Sequence, residues 1–235
     1  MNVFFFAEQL ESNPALLKRI AAFNAESAGA ARSREAARRA LLGNETLQAA
    51  AERSPDILEA LDRLAAGKRT APSAGAGFWD FTEPSTRLAL LPPDVLSRLG
   101  KIAAAALLGE RIALVVVKTQ VEALKKTLGD DVYAYALKRG RWQAGALGGE
   151  AKKLLPQDLP LEDACLYLAR VLLETQRRTW PEDLQHLSGA AFSALDLPVV
   201  ETVPAASPDA ARRYWHFLKK LILRELDSEW PPYFN

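Results

Sequence analysis

Reactive and metal-ligating side chains are scarce in this chain of 235 residues, and each scarcity removes a class of function. The one cysteine, Cys165, cannot close an internal disulfide, so the cysteine count asks for no oxidising compartment. The two histidines, His186 and His216, stand 30 residues apart, and neither has a second histidine or cysteine at ligand spacing. A zinc site is therefore poorly supported. Charge of one sign is not in excess: 30 basic residues against 29 acidic ones leave a net charge of +1. Such balance argues against an extended nucleic-acid footprint, although it permits a local basic patch.

Long apolar runs are missing too. The stretch LLPPDVLSRLGKIAAAALLGERIALVV (90–116) is rich in alanine and leucine. Its uncharged window between Lys101 and Glu110 is nevertheless far shorter than the roughly 20 residues that span a bilayer. The N-terminal MNVFFFAEQLE has no basic leader, and Glu8 interrupts its aromatic run, so it makes a poor export signal. A soluble, cytoplasmic protein is expected. No phosphate-cradling glycine loop is evident, because GALGG lacks the lysine and hydroxyl residue that would follow. Gly129–Asp130–Asp131 could suggest paired carboxylates, but an aspartate just after a helix-ending glycine reads more simply as the cap of the next helix. Cys165 lies on the apolar stripe of its helix, where a buried structural thiol is expected rather than a nucleophile. No catalytic residue, cofactor or metal follows from the sequence, and no enzymatic activity is expected.

What is present is helical periodicity. Asn13–Pro14 and Ser54–Pro55 are helix-start signals, each followed by apolar residues at helical spacing. NPALLKRIA and SPDILEALD lie 41 residues apart, a period compatible with an α-solenoid scaffold. Between Gly67 and Arg87 the pattern gives way to a glycine-, proline- and serine-rich segment holding Phe78, Trp79 and Phe81, which either pin the loop to a core or anchor a partner.

Pro92–Pro93 open a further helix with Val95, Leu99, Ile102 and Ala106 on one face, and Gly109 is expected to end it in the left-handed conformation. Residues 110–128 read as helix with a break near Thr119, Gly129 as a stop, and Asp130 as the cap of a short helix ending at Gly140. A second loop-rich region covers 139–160. It is followed by an amphipathic helix through Leu161, Cys165, Leu168 and Leu172, a shorter one after Pro181, and a long one over about 208–228. The fold class is all-α, an irregular multi-helix bundle with loop-rich connectors. Its expected divisions are an N-terminal helical region over 1–70, a linker over 71–87 and a C-terminal helical domain over 88–235. Segment 121–142 also has the outline of a helix-turn-helix, which keeps a DNA-binding or regulatory alternative open.

Residues 86–140, through LALLPPDVLSRLGKIAAAALLGERIALVV and VEALKKTLGDDVYAYALKRG, resemble the YscK/SctK family of bacterial type III secretion systems. The resemblance is carried by Leu90, Leu91, Leu96, Leu99, Leu107, Gly109, Glu110, Arg111 and Ile112, then Leu124, Leu128, Gly129 and Tyr133. It implies a non-enzymatic adaptor of the sorting platform, cytoplasmic and peripheral to the inner membrane through the secretion apparatus. The implied partners are the cytoplasmic domain of the inner-membrane ring protein and the pod (C-ring) protein, and indirectly the stator and ATPase. Neither nucleic-acid binding nor direct membrane insertion is implied.

Two stretches are candidates for docking. Trp230, Tyr233 and Phe234, stiffened by Pro231 and Pro232, form either an exposed anchor or a tail folded onto its own core. Lys138, Arg139 and Arg141 with Trp142 form either a basic rim for an acidic partner or a solvated helix end.

Overall fold

The computed structural model describes residues 3–27, 77–156 and 158–234, and the described residues contain helices and no strand. The chain is all-α. It divides into two compact units, Met1–Asp80 with Glu182–Ser188, and Phe81–Pro181 with Gly189–Asn235. The Ser54–Pro55 helix start, the second copy of the proposed repeat and residues 71–76 of the expected linker lie outside the described residues.

In the first unit, α1 (Val3–Ser12) and α2 (residues 14–27) meet at Asn13. The Leu16 N–H donates to Asn13 Oδ1 at 3.2 Å, the side-chain cap expected of Asn13–Pro14. Leu16, Ile20 and Phe23 are buried, as their spacing requires, together with Phe5 from α1. Asn24 Nδ2 donates to the Phe78 carbonyl at 2.8 Å, tying the segment at Gly77–Phe78 to α2. A Cβ on Gly77 would lie 2.3 Å from Asn24 Oδ1, so glycine is required there unless Asn24 moves.

The second unit begins earlier than 88. Residues 81–87, expected as the end of a linker, are tied into it: Pro84–Leu90 forms a 3₁₀ helix, and Phe81 and Ser85–Leu90 are buried. Arg87 holds this turn, donating from Nε to the Phe81 carbonyl at 3.0 Å. Helix α3 (Pro93–Leu107) follows, with proline at its first turn, where a missing N–H costs nothing.

The face expected on α3 understates its burial. Ten of its 15 residues are buried, and from Ile102 to Leu107 the burial is continuous around the helix. Alanine and glycine allow this, because short side chains let neighbours approach on every side. A Cβ on Gly100 would stand 3.2 Å from Ala169 Cβ on α8 (Leu161–Arg177), the helix that packs along α3 most extensively.

Gly109 does not end α3 in the left-handed region, since the only glycines with positive φ among the described residues are Gly129 and Gly145. It opens α4 (Gly109–Ala113), and its role is proximity: a Cβ there would come within 2.9 Å of the N, Cα and Cβ of Arg141. The helical break expected near Thr119 is present, a few residues earlier. Helix α4 stops at Ala113, Leu114–Val117 form the connection, and α5 (Lys118–Leu128) restarts beyond it. The β-branched run Val115–Val117, poorly disposed to helix, supplies the local reason.

Gly129, at φ 94°, stops α5 as expected and itself takes the capping position of α6 (Asp130–Tyr135). Asp130 is thus not a cap; with Asp131 it occupies the first turn, where negative charge suits the helix dipole. Nor does Gly140 end the helix. A π-helical turn, Ala136–Gly140, carries it on through Arg141–Gln143. Within the region expected to be loop, Leu147–Lys152 forms α7, with Ala151 fully buried.

Two short helices follow Pro181: α9 (Glu182–Leu187), which clusters with the first unit, and α10 (Gly189–Ser193), which belongs to the second. Helix α11 (Pro208–Glu225) starts at Ser207, whose Oγ accepts from the Ala210 N–H at 3.2 Å. It buries Tyr214, Trp215, Phe217, Leu218, Leu221 and Ile222 and packs on α3 and α8.

The glycines separate steric need from local propensity. A Gly109→Ala substitution forces backbone apart and is expected to cost about 1–3 kcal/mol. Gly149→Ala sits in α7 with nothing within 4 Å of its new methyl, and should instead gain about 0.5–1 kcal/mol. Urea denaturation of the two variants checks the opposite signs.

Candidate docking surfaces

The two stretches singled out in the sequence have different fates. The C-terminal aromatics are not an exposed anchor. Trp230 and Phe234 are buried, Tyr233 is half-buried, and Pro231–Phe234 forms a 3₁₀ turn. Arg87 Nη1 donates to the Tyr233 carbonyl at 2.9 Å, while the Phe234 ring packs at 6.2 Å from that of Trp215 on α11. Trp230 and Tyr233 stack edge-to-face at 6.0 Å. The tail closes the end of its own core because Phe234 finds apolar cover there and Arg87 satisfies a carbonyl that would otherwise be desolvated.

The basic rim does reach solvent. Lys138, Arg139, Arg141 and Trp142 are all exposed, with Trp142 at 74%. The backbone beneath them is held firmly. Tyr135, Ala136, Gly140 and Ala144 are buried, and a Cβ on Gly140 would stand 3.2 Å from Ala106 Cα of α3.

Arg139 is committed internally: its Nη2 reaches Glu225 Oε2 at 2.8 Å, while Gln143 Nε2 donates to Glu225 Oε1 at 3.1 Å. Tyr135 donates its hydroxyl to Gln143 Oε1 at 3.2 Å. Burial, reinforced by the nearby Glu225 carboxylate, pushes the Tyr135 phenol well above its ordinary value, so it remains a donor. Arg141 is not drawn into this network and lies over the Trp142 ring, 4.6 Å from its centroid.

A further exposed apolar element went unmarked in the sequence because the break in the 110–128 helix was expected near Thr119, a few residues beyond it. Leu114, Val116 and Val117 on the α4–α5 connection are 79%, 87% and 52% exposed. The three consecutive valines were the available signal, since they favour the extended backbone that turns side chains outward.

Most other groups with chemical potential are engaged within the fold. Cys165 is fully buried, and desolvation pushes its thiol up to about 12 despite the opposing pull of Arg111. His186 and His216 are exposed, and among the described residues no group of three or more histidine, cysteine and acidic side chains could hold a metal ion. Arg98 pairs with Asp131 at 3.1 Å and Asp227 at 3.3 Å, and Lys101 pairs with Asp196 at 2.8 Å. Arg98, Asp131, Lys101 and Asp196 line an open cleft of about 370 Å³ beside α3, and the pairs join α3 to α6 and to the loops at 196 and 227. On α8, Arg170 donates to Glu174 and to the Phe192 carbonyl, both at 2.8 Å, which fastens α10.

No helix among the described residues is long and apolar enough to cross a membrane. In the helix-turn-helix-like segment, Val132, Tyr133 and Tyr135 of the second helix are buried and cannot read base edges. The residues that carry the family resemblance are mostly core: Leu90, Leu91, Leu96, Leu99, Leu107, Gly109, Ile112, Leu124, Leu128 and Tyr133 are buried, whereas Glu110 is exposed. Comparison with known proteins returns no match, whether to family models, to curated proteins or to solved structures.

Two measurements test these placements. Truncating the buried Phe234 ring by Phe234→Ala should cost about 3–5 kcal/mol in chemical denaturation, a loss that an exposed anchor would not show. For Cys165, the folded thiol keeps its proton well above the ordinary 9.0. The stability it contributes is therefore complete below pH 9 and falls as pH rises toward about 12. At pH 8 an aromatic disulfide reagent should label it only at the rate of unfolding.

Proposed function

We propose that this chain is a non-enzymatic adaptor of a bacterial type III secretion system, a YscK/SctK-like component joining the cytoplasmic domain of the inner-membrane ring protein to the pod protein of the sorting platform. The observation that carries this reading is the resemblance over residues 86–140. Most of its signature positions are buried, which is what a fold-defining pattern requires: leucines at interior positions and glycines where backbones meet.

The rest of the molecule supports it. The lone thiol is buried and protonated, and the exposed side chains that stand out are apolar or basic groups suited to contact with another protein. An adaptor needs separate faces for its two partners. The Leu114–Val117 connection and the Lys138–Trp142 rim are two exposed elements of the second unit. The DNA-binding alternative is weakened by the burial of Val132, Tyr133 and Tyr135 and by a net charge of only +1.

The test is direct association. The purified chain should co-elute from size exclusion with the purified cytoplasmic domain of the ring protein, with the pod protein, or with both. It should show no salt-steep affinity for duplex DNA. Binding to neither protein, together with DNA binding that collapses as salt rises, overturns the proposal in favour of a DNA-binding protein.

A further inference from the structure

We infer that the exposed stretch carrying Lys138, Arg141 and Trp142 is a docking surface for an acidic protein segment that also presents an apolar side chain. The inference rests on the adaptor reading and locates one of its two faces.

Trp142 is the most exposed of the five tryptophans. Trp180, Trp215 and Trp230 lie at 4%, 8% and 9% exposure and Trp79 at 37%, against 74% for Trp142. An indole left in water is a large apolar surface available to a partner, and tryptophan and arginine are the side chains most enriched at the energetic centres of protein interfaces.

Trp142 is also arranged for contact. Arg141 stacks on its ring at 4.6 Å, which restricts both side chains before any partner arrives. The Arg141 backbone beneath them is seated on Gly109, so close that no Cβ could intervene without a shift. Indole and guanidinium thus project from fixed helix backbone rather than from a loop.

Charge identifies the occupant. Three other cations of the unit are matched within the fold: Arg139 pairs with Glu225 at 2.8 Å, Lys152 with Glu110 at 3.4 Å and Arg213 with Glu150 at 2.9 Å. Among the described residues, Lys138 and Arg141 have no carboxylate partner; Arg141 lies over the exposed indole and Lys138 stands four residues before it. A carboxylate-bearing segment would complete both cations while its apolar side chain covers the ring. Two cations make a poor track for a nucleic-acid backbone, which requires a basic stripe.

Calorimetry of the full chain with the purified ring-protein cytoplasmic domain and with the pod protein tests the surface. Trp142→Ala and Arg141→Glu should each weaken binding of one partner by about tenfold or more, whereas Trp142→Phe should retain most of it. Val199→Ser, at another exposed apolar side chain, should change binding less than about twofold. Raising salt from about 50 to about 500 mM should weaken the wild-type complex and leave the residual Arg141→Glu binding less affected. Zero-length carbodiimide coupling, which joins an amine to a carboxylate, should link Lys138 to an aspartate or glutamate of the same partner.

Wild-type binding of a partner that is unchanged in both Trp142→Ala and Arg141→Glu overturns the docking surface while the adaptor reading stands. So does a cross-link map that excludes Lys138. Loss confined to duplex DNA binding or to self-association overturns it in favour of those occupants. If the wild-type chain binds neither platform protein, the adaptor reading itself fails, and this inference with it.

Discussion

The second unit depends on one steric condition: helix α3 must be thin. Its run of alanines, with Gly100 inside it and Gly109 just beyond, lets α8, α11 and the helix through the π turn approach it closely. A hypothetical Cβ at Gly100, Gly109 or Gly140 meets another element at 2.9–3.2 Å. Those distances leave no spare room, and close-packed interiors transmit any added volume as displacement. The larger residues flanking the alanines, Leu96, Leu99, Ile102 and Leu107, supply the apolar area, each buried leucine contributing about 1.5–3 kcal/mol. Small residues set the geometry and large ones stabilise it.

The same condition shapes the surface. With the π turn pressed on Ala106 and Arg141 seated on Gly109, residues 138–142 cannot rotate their outward side chains into the core. Arg139 finds Glu225, whereas Arg141 turns onto Trp142. An exposed indole with a stacked guanidinium is thus a consequence of tight packing one layer below. The C-terminal aromatics illustrate the opposite outcome: Arg87 and Trp215 give Tyr233 and Phe234 a place within the fold, so they are not presented for docking.

Much of the helical architecture was legible beforehand because helix signals are local. Asn13–Pro14 is a cap whose hydrogen bond forms as the residue types require, the last long helix starts at Pro208 as read, and Gly129 stops α5 where it should. Several of the misplaced boundaries share a cause, since they turn on a contact between distant segments. Gly109 reads as a helix terminator until Arg141 is seen against it. Gly140 reads as another until Ala106 is found beneath it. Residues 81–87 read as linker because Arg87, the residue that ties them down, bonds to a carbonyl 146 positions away. Of the candidate site, Lys138, Arg141 and Trp142 could be named from composition, but only their surroundings tell that Arg139 beside them is already committed.

The sequence by itself determined that the chain is helical, where most of its helices begin, and that its least polar stretch is too short to cross a bilayer. Those properties follow from propensity, capping and run length, which act within a few residues. The tertiary structure alone decided which aromatic groups face water. Trp142 and Trp230 each follow a charged residue directly, Arg141 and Glu229, yet one is solvated and the other buried. The difference is a matter of available partners: an apolar ring is buried only where other elements leave a space its own size, and such a space is made by the packing of the whole unit.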